Sequence, residues 1–243
     1  MYQKRSYRNK IYANQLVPFQ VVVKETDLFI HSAKNLTQVA RELTLQYRGH
    51  IETYIQRHPE FEKTLQPWKI REPVPNIISD MVIAGEKAGV GPMASVAGAV
   101  AEHVGIGLLN HTEQVIVENG GDLFIKTEHP VTVGIFAGKS PLSMHIGLHV
   151  DPGGKQVAVC TSSGSVGHSF SQGKADAVCV ISESCFLADA AATSIGNRVI
   201  KKTDVQRAMD FGKTIDGVKG IAVIIGDKMG MWGEVKIVAL NQK

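Results

Sequence analysis

Leu36, Val39, Leu43, Tyr47, Ile51 and Tyr54 recur at intervals of three and four, with polar and charged residues between them. That spacing places all six on one face and predicts an α-helix over residues 36–58. Pro59 ends or restarts it, since proline has no N–H for a helix interior. Ahead of the helix, "QLVPFQVVVKET" and "DLFIHSA" are rich in β-branched and aromatic residues with turn formers between, so residues 1–31 read as β structure. After it, "QPWKIREPVPN" carries three prolines and reads as a connector. Further helices are predicted over 76–88 and, beyond Gly89, Gly91 and Pro92, over "MASVAGAVAEHV".

From residue 114 the period changes. "EQVIVE", "DLFIK", "VTVGIF", "MHIGLHV" and "QVAVC" are short apolar runs bounded by Gly, Pro or charge, and read as consecutive strands, some of them fully buried. "DAVCVIS" is a further strand, and "LADAAATSIGNRVI" a helix of small residues. "DVQRAMDF" opens on Asp204 as a helix cap. "GIAVIIGD" and "VKIVAL" are strands on either side of "KMGMWG", which reads as a hairpin turn. Helices and strands mix without strict alternation, which predicts an α+β fold of mixed or antiparallel sheets with packed helices. The expected organisation is a single domain over 1–243, with a hairpin and helices over 1–110 and a β region over 111–243.

Composition adds limits. A net charge of +3 is too small to argue for a nucleic-acid partner. The longest apolar stretch, "VAGAVAEHVGIGLL", is interrupted by Glu102 and His103, short of a membrane span. The basic start "MYQKRSYRNK" is not followed by an apolar segment of the kind a secretory signal needs. Cys160, Cys179 and Cys185 show no CxxC spacing and sit in small or apolar runs, as buried thiols in a reducing compartment would. The expectation is a soluble, cytoplasmic protein with no membrane partner.

Several familiar patterns fail. "GIFAGKS" has three residues between its glycines where a phosphate loop has four, and strand rather than helix follows it. His145 and His149 share a strand face with no evident third zinc ligand. Ser165 and the His168 of "GHSF" lack a nucleophile-elbow context.

Three stretches carry chemistry. In "VIVENGGDLFI" a strand ends at Asn119-Gly120-Gly121-Asp122 and another begins at once; this is a tight hairpin, or a place where a ring or phosphate lies against bare backbone. "CTSSGSVGHS" offers five hydroxyls and two glycines after a strand, either an ordinary surface loop or a donor-rich cradle for an anion. In "FLADAAATSIGN", Asp189 and Thr193 fall one above the other on a helix lined by alanine. A carboxylate with a hydroxyl suits Mg²⁺ or Ca²⁺. The alternative is Asp189 as an N-terminal cap with Thr193 bonded back to a helix carbonyl.

The order "ENGGDL", "TSSG", "HS", a strand and then "ADAAATSIG" resembles the ApbE family, the FAD:protein FMN transferases, over roughly residues 85–200. The chain is most similar to a short branch of ApbE-like proteins. The resemblance implies a flavin dinucleotide, FAD or a related nucleotide, lying across the β region with Mg²⁺ on its diphosphate. Asp189 and Thr193 match the family's metal ligands, with the carbonyl of Ala94 as a third. Asn119, Gly120, Gly121 and Asp122 match the GGD hairpin. Thr161, Ser162, Ser163 and Gly164 match the TSG turn, and His168 falls nearest the family's histidine. The implied reaction is attack by a Thr or Ser hydroxyl of an acceptor protein on the FMN phosphorus, AMP leaving and His168 taking the proton. Departures are visible too. The family's Lys-Gly pair is replaced by "ASVAG" without a cation, its His loop is compressed to "GHSFSQGK", and its export signal is missing. These favour a module that binds the cofactor without transferring it. The glycine-rich helix over 93–104 is compatible with a homodimer.

Overall fold

A computed structural model describes residues 16–163 and 173–240. The first hairpin joins β1 (Val17–Val23) to β2 (Thr26–Ser32). Phe19, Val21 and Val23 are buried while Pro18, Gln20 and Val22 are exposed, the period of two expected of an edge strand with one covered face. α1 (Thr37–Arg57) follows as the spacing predicts, with Leu36, Ala40, Ile51 and Tyr54 buried and Val39, Leu43 and Tyr47 packed at the margin of the core. Pro59 restarts the chain as a short helix, α2 (Glu60–Lys63), and Phe61 inserts edge-on to Tyr54 at 4.8 Å between ring centres. After the proline-rich connector come α3 (Asn76–Ala88), a 3₁₀ turn (Pro92–Ser95) and α4 (Val96–Leu108). α3 stops at Gly89, whose φ of 69° is a left-handed helix end.

The remaining elements are β3 (Val115–Asn119), β4 (Asp122–Lys126), β5 (Val131–Gly134), β6 (Ile146–Val150), β7 (Gln156–Ser162), β8 (Ala177–Ser182), α5 (Cys185–Gly196), α6 (Val205–Gly212), β9 (Val218–Ile225), β10 (Lys228–Gly233) and β11 (Ile237–Ala239). They form an eight-stranded sheet in the order β1-β2-β3-β4-β7-β8-β9-β10 and a three-stranded sheet, β11-β6-β5. Every pairing is antiparallel, so the fold is α+β. The large sheet is covered on both faces. Val115, Val117, Phe124, Cys160 and Val180 meet the helices, whereas Ile116, Ile125, Val159 and Ile181 meet Val131, Val133 and Leu148 of the small sheet. Burial on both faces is why the central strands read as unbroken apolar runs instead of alternating ones.

Three sequence expectations are corrected here. "KMGMWG" is not a turn but the edge strand β10; Ile225 pairs with Lys228, and the turn is Gly226-Asp227, with Gly226 at φ 61°. The small-residue helix starts earlier and stops earlier than "LADAAATSIGNRVI", running Cys185–Gly196. Asp204 stands before α6 but does not cap it: its carboxylate reaches back to the N–H groups of Ile200 and Lys201. Among the described residues no helix is long and apolar enough to cross a membrane.

Candidate functional site

The β3–β4 connection is a two-residue hairpin in which Asn119 pairs with Asp122. Gly120 and Gly121 adopt φ of 71° and 126°, conformations that a Cβ disfavours. The hairpin delivers two polar side chains to the helix-covered face of the sheet. Asn119 donates from Nδ2 to the carbonyl of Ala97, at the start of α4, at 3.0 Å. Asp122 lies opposite Cys160 on β7. Because side chains alternate along a strand, Cys160 and Ser162 share that face and Thr161 does not. The hydroxyl of Thr161 instead donates to Sγ of Cys179 at 3.3 Å, on the side of the small sheet. The four-residue run Thr161 to Gly164 therefore does not act as one set of side chains. Thr161 turns away from the helices, Ser162 is buried beneath them with no partner for its Oγ, and Ser163 follows the strand half-buried. Gly164 and His168 lie outside the described residues.

α5 brings the second carboxylate. Its N-cap is Ser184, whose side chain accepts from the N–H of Leu187 at 3.2 Å, so Asp189 is not a cap. Asp189 sits in mid-helix, 9% exposed. Its Oδ2 accepts from the N–H of Gly98 at 2.9 Å, in the first turn of α4, where helix N–H groups have no partners of their own. The approach is close: a Cβ on Gly98 would stand 2.4 Å from the carbonyl oxygen of Cys185 and 2.9 Å from Cβ of Asp189. Thr193, one turn further along α5, is buried as well, and the 3₁₀ turn carrying the half-buried Ala94 packs against the same helix.

Asp122 and Asp189 face each other electrostatically. Burial pushes the carboxyl of Asp189 up to about 7, against the pull of the N–H groups of Gly98 and Ala97. Burial holds Asp122 well above the carboxylate range; the charge of Asp189 adds to this, the thiol of Cys160 and the N–H of Thr161 oppose it, and Glu118 adds again. A charge on one carboxyl disfavours a charge on the other, so the two titrate as a pair. Oδ1 of Asp122 is buried without a hydrogen-bond partner. Beneath the pair, the free thiols of Cys160 and Cys185 lie 3.4 Å apart, both raised by burial.

The donors at hand are hard oxygens: two carboxylates, the hydroxyls of Thr193 and Ser162, and backbone carbonyls of the α4 approach. An orphaned, buried acid oxygen beside a second acid fits a hard divalent cation such as Mg²⁺. No group of three or more His, Cys, Asp or Glu able to hold a metal occurs among the described residues, so an ion here would also need hydroxyl and backbone carbonyl oxygens, which suit Mg²⁺ better than zinc. Sequence reasoning selected Asp189, Thr193, Ala94, Asn119 and Asp122 separately. It did not reveal that Asp122 and Asp189 form an electrostatic pair, and it passed over Glu102 and Ser184, which hold the first turn of α5.

This architecture is that of solved flavin transferases. A variant of flavin transferase ApbE from Vibrio cholerae superposes over 90% of this chain and 97% of its own with a TM-score of 0.59 at 12% identity. The apo flavinyl transferase ApbE of Pseudomonas stutzeri does so over 90% and 94%, with a TM-score of 0.57 at 14% identity. A family model described as "AbpE bacteria" matches residues 8–231. A UPF0280 protein of Methanocella arvoryzae is 40% identical over 214 residues, spanning 88% of this chain and 87% of that protein. Another, from Methanosarcina acetivorans, is 42% identical over 200 residues, spanning 82% and 79%. The chain belongs to this ApbE-like family, together with the UPF0280 proteins.

Proposed function

We propose that the protein holds a divalent cation, Mg²⁺, on Asp189, Thr193 and the Ala94 carbonyl, with Asp122 facing them, and uses it to bind FAD or a related nucleotide through its diphosphate. The observation that carries this reading is the Asp122–Asp189 pair. Both acids are buried, the charge of Asp189 pushes Asp122 further up, one oxygen of Asp122 has no partner, and no cationic side chain of the described residues is among the groups acting on them. A cation supplies the missing charge and also offsets that of a diphosphate. Asn119 and the bare Gly120-Gly121 backbone border the same end of the sheet and would leave room for a flat ring or phosphate.

Binding without transfer is the preferred reading, since "ASVAG" puts no cation where ApbE-like sequences carry Lys; Ser95 is buried there and donates to the carbonyl of Pro92 at 2.7 Å. Transfer of FMN to a Thr or Ser of an acceptor protein is the second reading. It is favoured by the activity named for both superposed structures. In it, the chain's own residues orient the diphosphate, and His168 removes the acceptor proton.

One titration tests both. FAD added to the purified protein with Mg²⁺ is expected to lose fluorescence, and chelation of the metal is expected to restore it. Asp189→Ala is expected to show neither effect. Release of AMP in the presence of an acceptor protein, above the Asp189→Ala background, establishes transfer. FAD fluorescence indifferent to both protein and Mg²⁺ overturns the cofactor reading.

A further inference from the structure

This inference rests on the cation reading above and deepens it. α4 and α5 are tied twice. Asp189 Oδ2 accepts from the N–H of Gly98 at 2.9 Å. One turn later on α4 and one turn earlier on α5, Glu102 Oε2 accepts from the N–H of Cys185 at 2.6 Å. The ties 98–189 and 102–185 step four residues in opposite directions, about 6 Å along each axis at 1.5 Å per residue. One tie alone is a pivot; two ties a turn apart fix both the slide and the rotation of α5. Cys185 is the first residue of α5, so its N–H is among those with no partner inside the helix, and a carboxylate there also meets the positive end of the helix dipole.

Glu102 is itself only 6% exposed. Its second oxygen accepts from Nε2 of Gln156 at 2.8 Å, and the same amide donates to the carbonyl of Glu183 at 2.8 Å. Both carboxylate oxygens are thus engaged by groups that flank the start of α5. Burying a carboxylate is costly, and an apolar side chain would pack the same space without that cost. We propose that Glu102 is a positioning residue for the cation shelf: it holds the first turn of α5, and so sets the angle at which Asp189 and Thr193 meet the start of α4.

Calorimetric titration of Mg²⁺ alone into the full chain tests this, with thermal melting alongside. Glu102→Ala is expected to weaken Mg²⁺ binding by about 10–100-fold, the usual effect of removing a residue that orients a metal ligand. Glu102→Gln, which keeps an acceptor for the N–H of Cys185, is expected to fall between that and wild type. Leu148→Ala, in the small sheet on the other face of the large one, is expected to lower Tm while leaving the Mg²⁺ affinity unchanged. Should Glu102→Ala fail to fold, Gln156→Ala removes the donor that holds Glu102 and is expected to weaken Mg²⁺ binding. Wild-type affinity in a folded Glu102→Ala, or in Gln156→Ala where that variant is the one read, overturns the positioning role and leaves the cation reading standing. A wild-type chain that takes up no Mg²⁺ overturns both.

Discussion

The Oδ2 of Asp189 and the backbone N–H of Gly98 meet at 2.9 Å across a helix crossing that has no room for a methyl group. Gly98→Ala would bring a Cβ to 2.4 Å from the Cys185 carbonyl oxygen, a backbone atom that cannot rotate away. Overpacking of this kind costs about 1–3 kcal/mol. The expected result is a clear fall in Tm together with loss of any Mg²⁺-induced rise. Gly49→Ala is the matched control. It lies within α1 with nothing inside 4 Å of the added Cβ, so the gain in helix propensity is expected to stabilise the protein by about 0.5–1 kcal/mol. Equal melting temperatures for the two variants would contradict the packing described at the crossing.

The buried acid pair predicts a pH dependence with a definite sign. An unfolded carboxylate titrates near 4, and Asp189 in the folded, metal-free protein near about 7. Between these values the folded state binds more protons than the unfolded one, so its contribution to stability declines as pH rises through that window and levels off above it. The slope due to one such group is up to about 1.4 kcal/mol per pH unit. Melting curves of the metal-free protein at pH 5, 6 and 7 are expected to fall more steeply in wild type than in Asp189→Asn. A variant profile parallel to wild type would show that the group is not raised.

Asp122→Asn separates the cation reading from a purely structural hairpin. Removing an acid that burial and a like charge both disfavour is expected to raise the metal-free Tm at pH 8. The same change is expected to shrink the Mg²⁺-induced rise, which for a single site at a hundred times Kd amounts to about 2.7 kcal/mol in wild type. A simple loss of stability with the Mg²⁺ response intact would mark Asp122 as a hairpin residue only.

Ser184→Ala removes the N-cap of α5, and a loss of about 1 kcal/mol is expected. Glu102 still holds the N–H of Cys185 in this variant, so Mg²⁺ affinity is expected to stay at the wild-type value by calorimetry.

The three thiols provide a check on the core. All are buried, and burial lifts Cys179 and Cys185 to about 11 and Cys160 well above its ordinary value. A thiol-reactive disulfide reagent at pH 8 is expected to label none of them in the native protein and all three in denaturant. Labelling in parallel with native-state opening would give the opening rate of the helix–sheet layer.

Much of this architecture was legible because periodicity survives where an element buries one face. α1 and α3 follow from apolar spacing and from the breakers Pro59 and Gly89, and the Asn119–Asp122 hairpin from its glycines. What was not legible depended on partners distant in the chain. "KMGMWG" contains two glycines and looks like a turn, yet pairing with β9 holds it extended. The alternative of Asp189 as a cap stayed open because the sequence does not show where the helix starts; Ser184 fills that place. Thr161 and Ser162 are adjacent in sequence and on opposite faces of a sheet whose two sides are both buried, so hydropathy could not tell them apart. The pairing of Asp122 with Asp189 joins residues far apart in the chain and leaves no local trace.

Eleven of the twelve residues of α5 are buried, between α3, α4, β7 and β8. A rod confined on every side cannot roll to greet an incoming molecule, so the positions of Asp189 and Thr193 are set before anything arrives. Drift in that segment is also constrained, because Ala190, Ala191 and Ala192 are fully buried and a bulkier side chain there would overpack the core. Divergence in what such proteins recognise would therefore accumulate at the strand ends around the rod, while the rod itself stays the same.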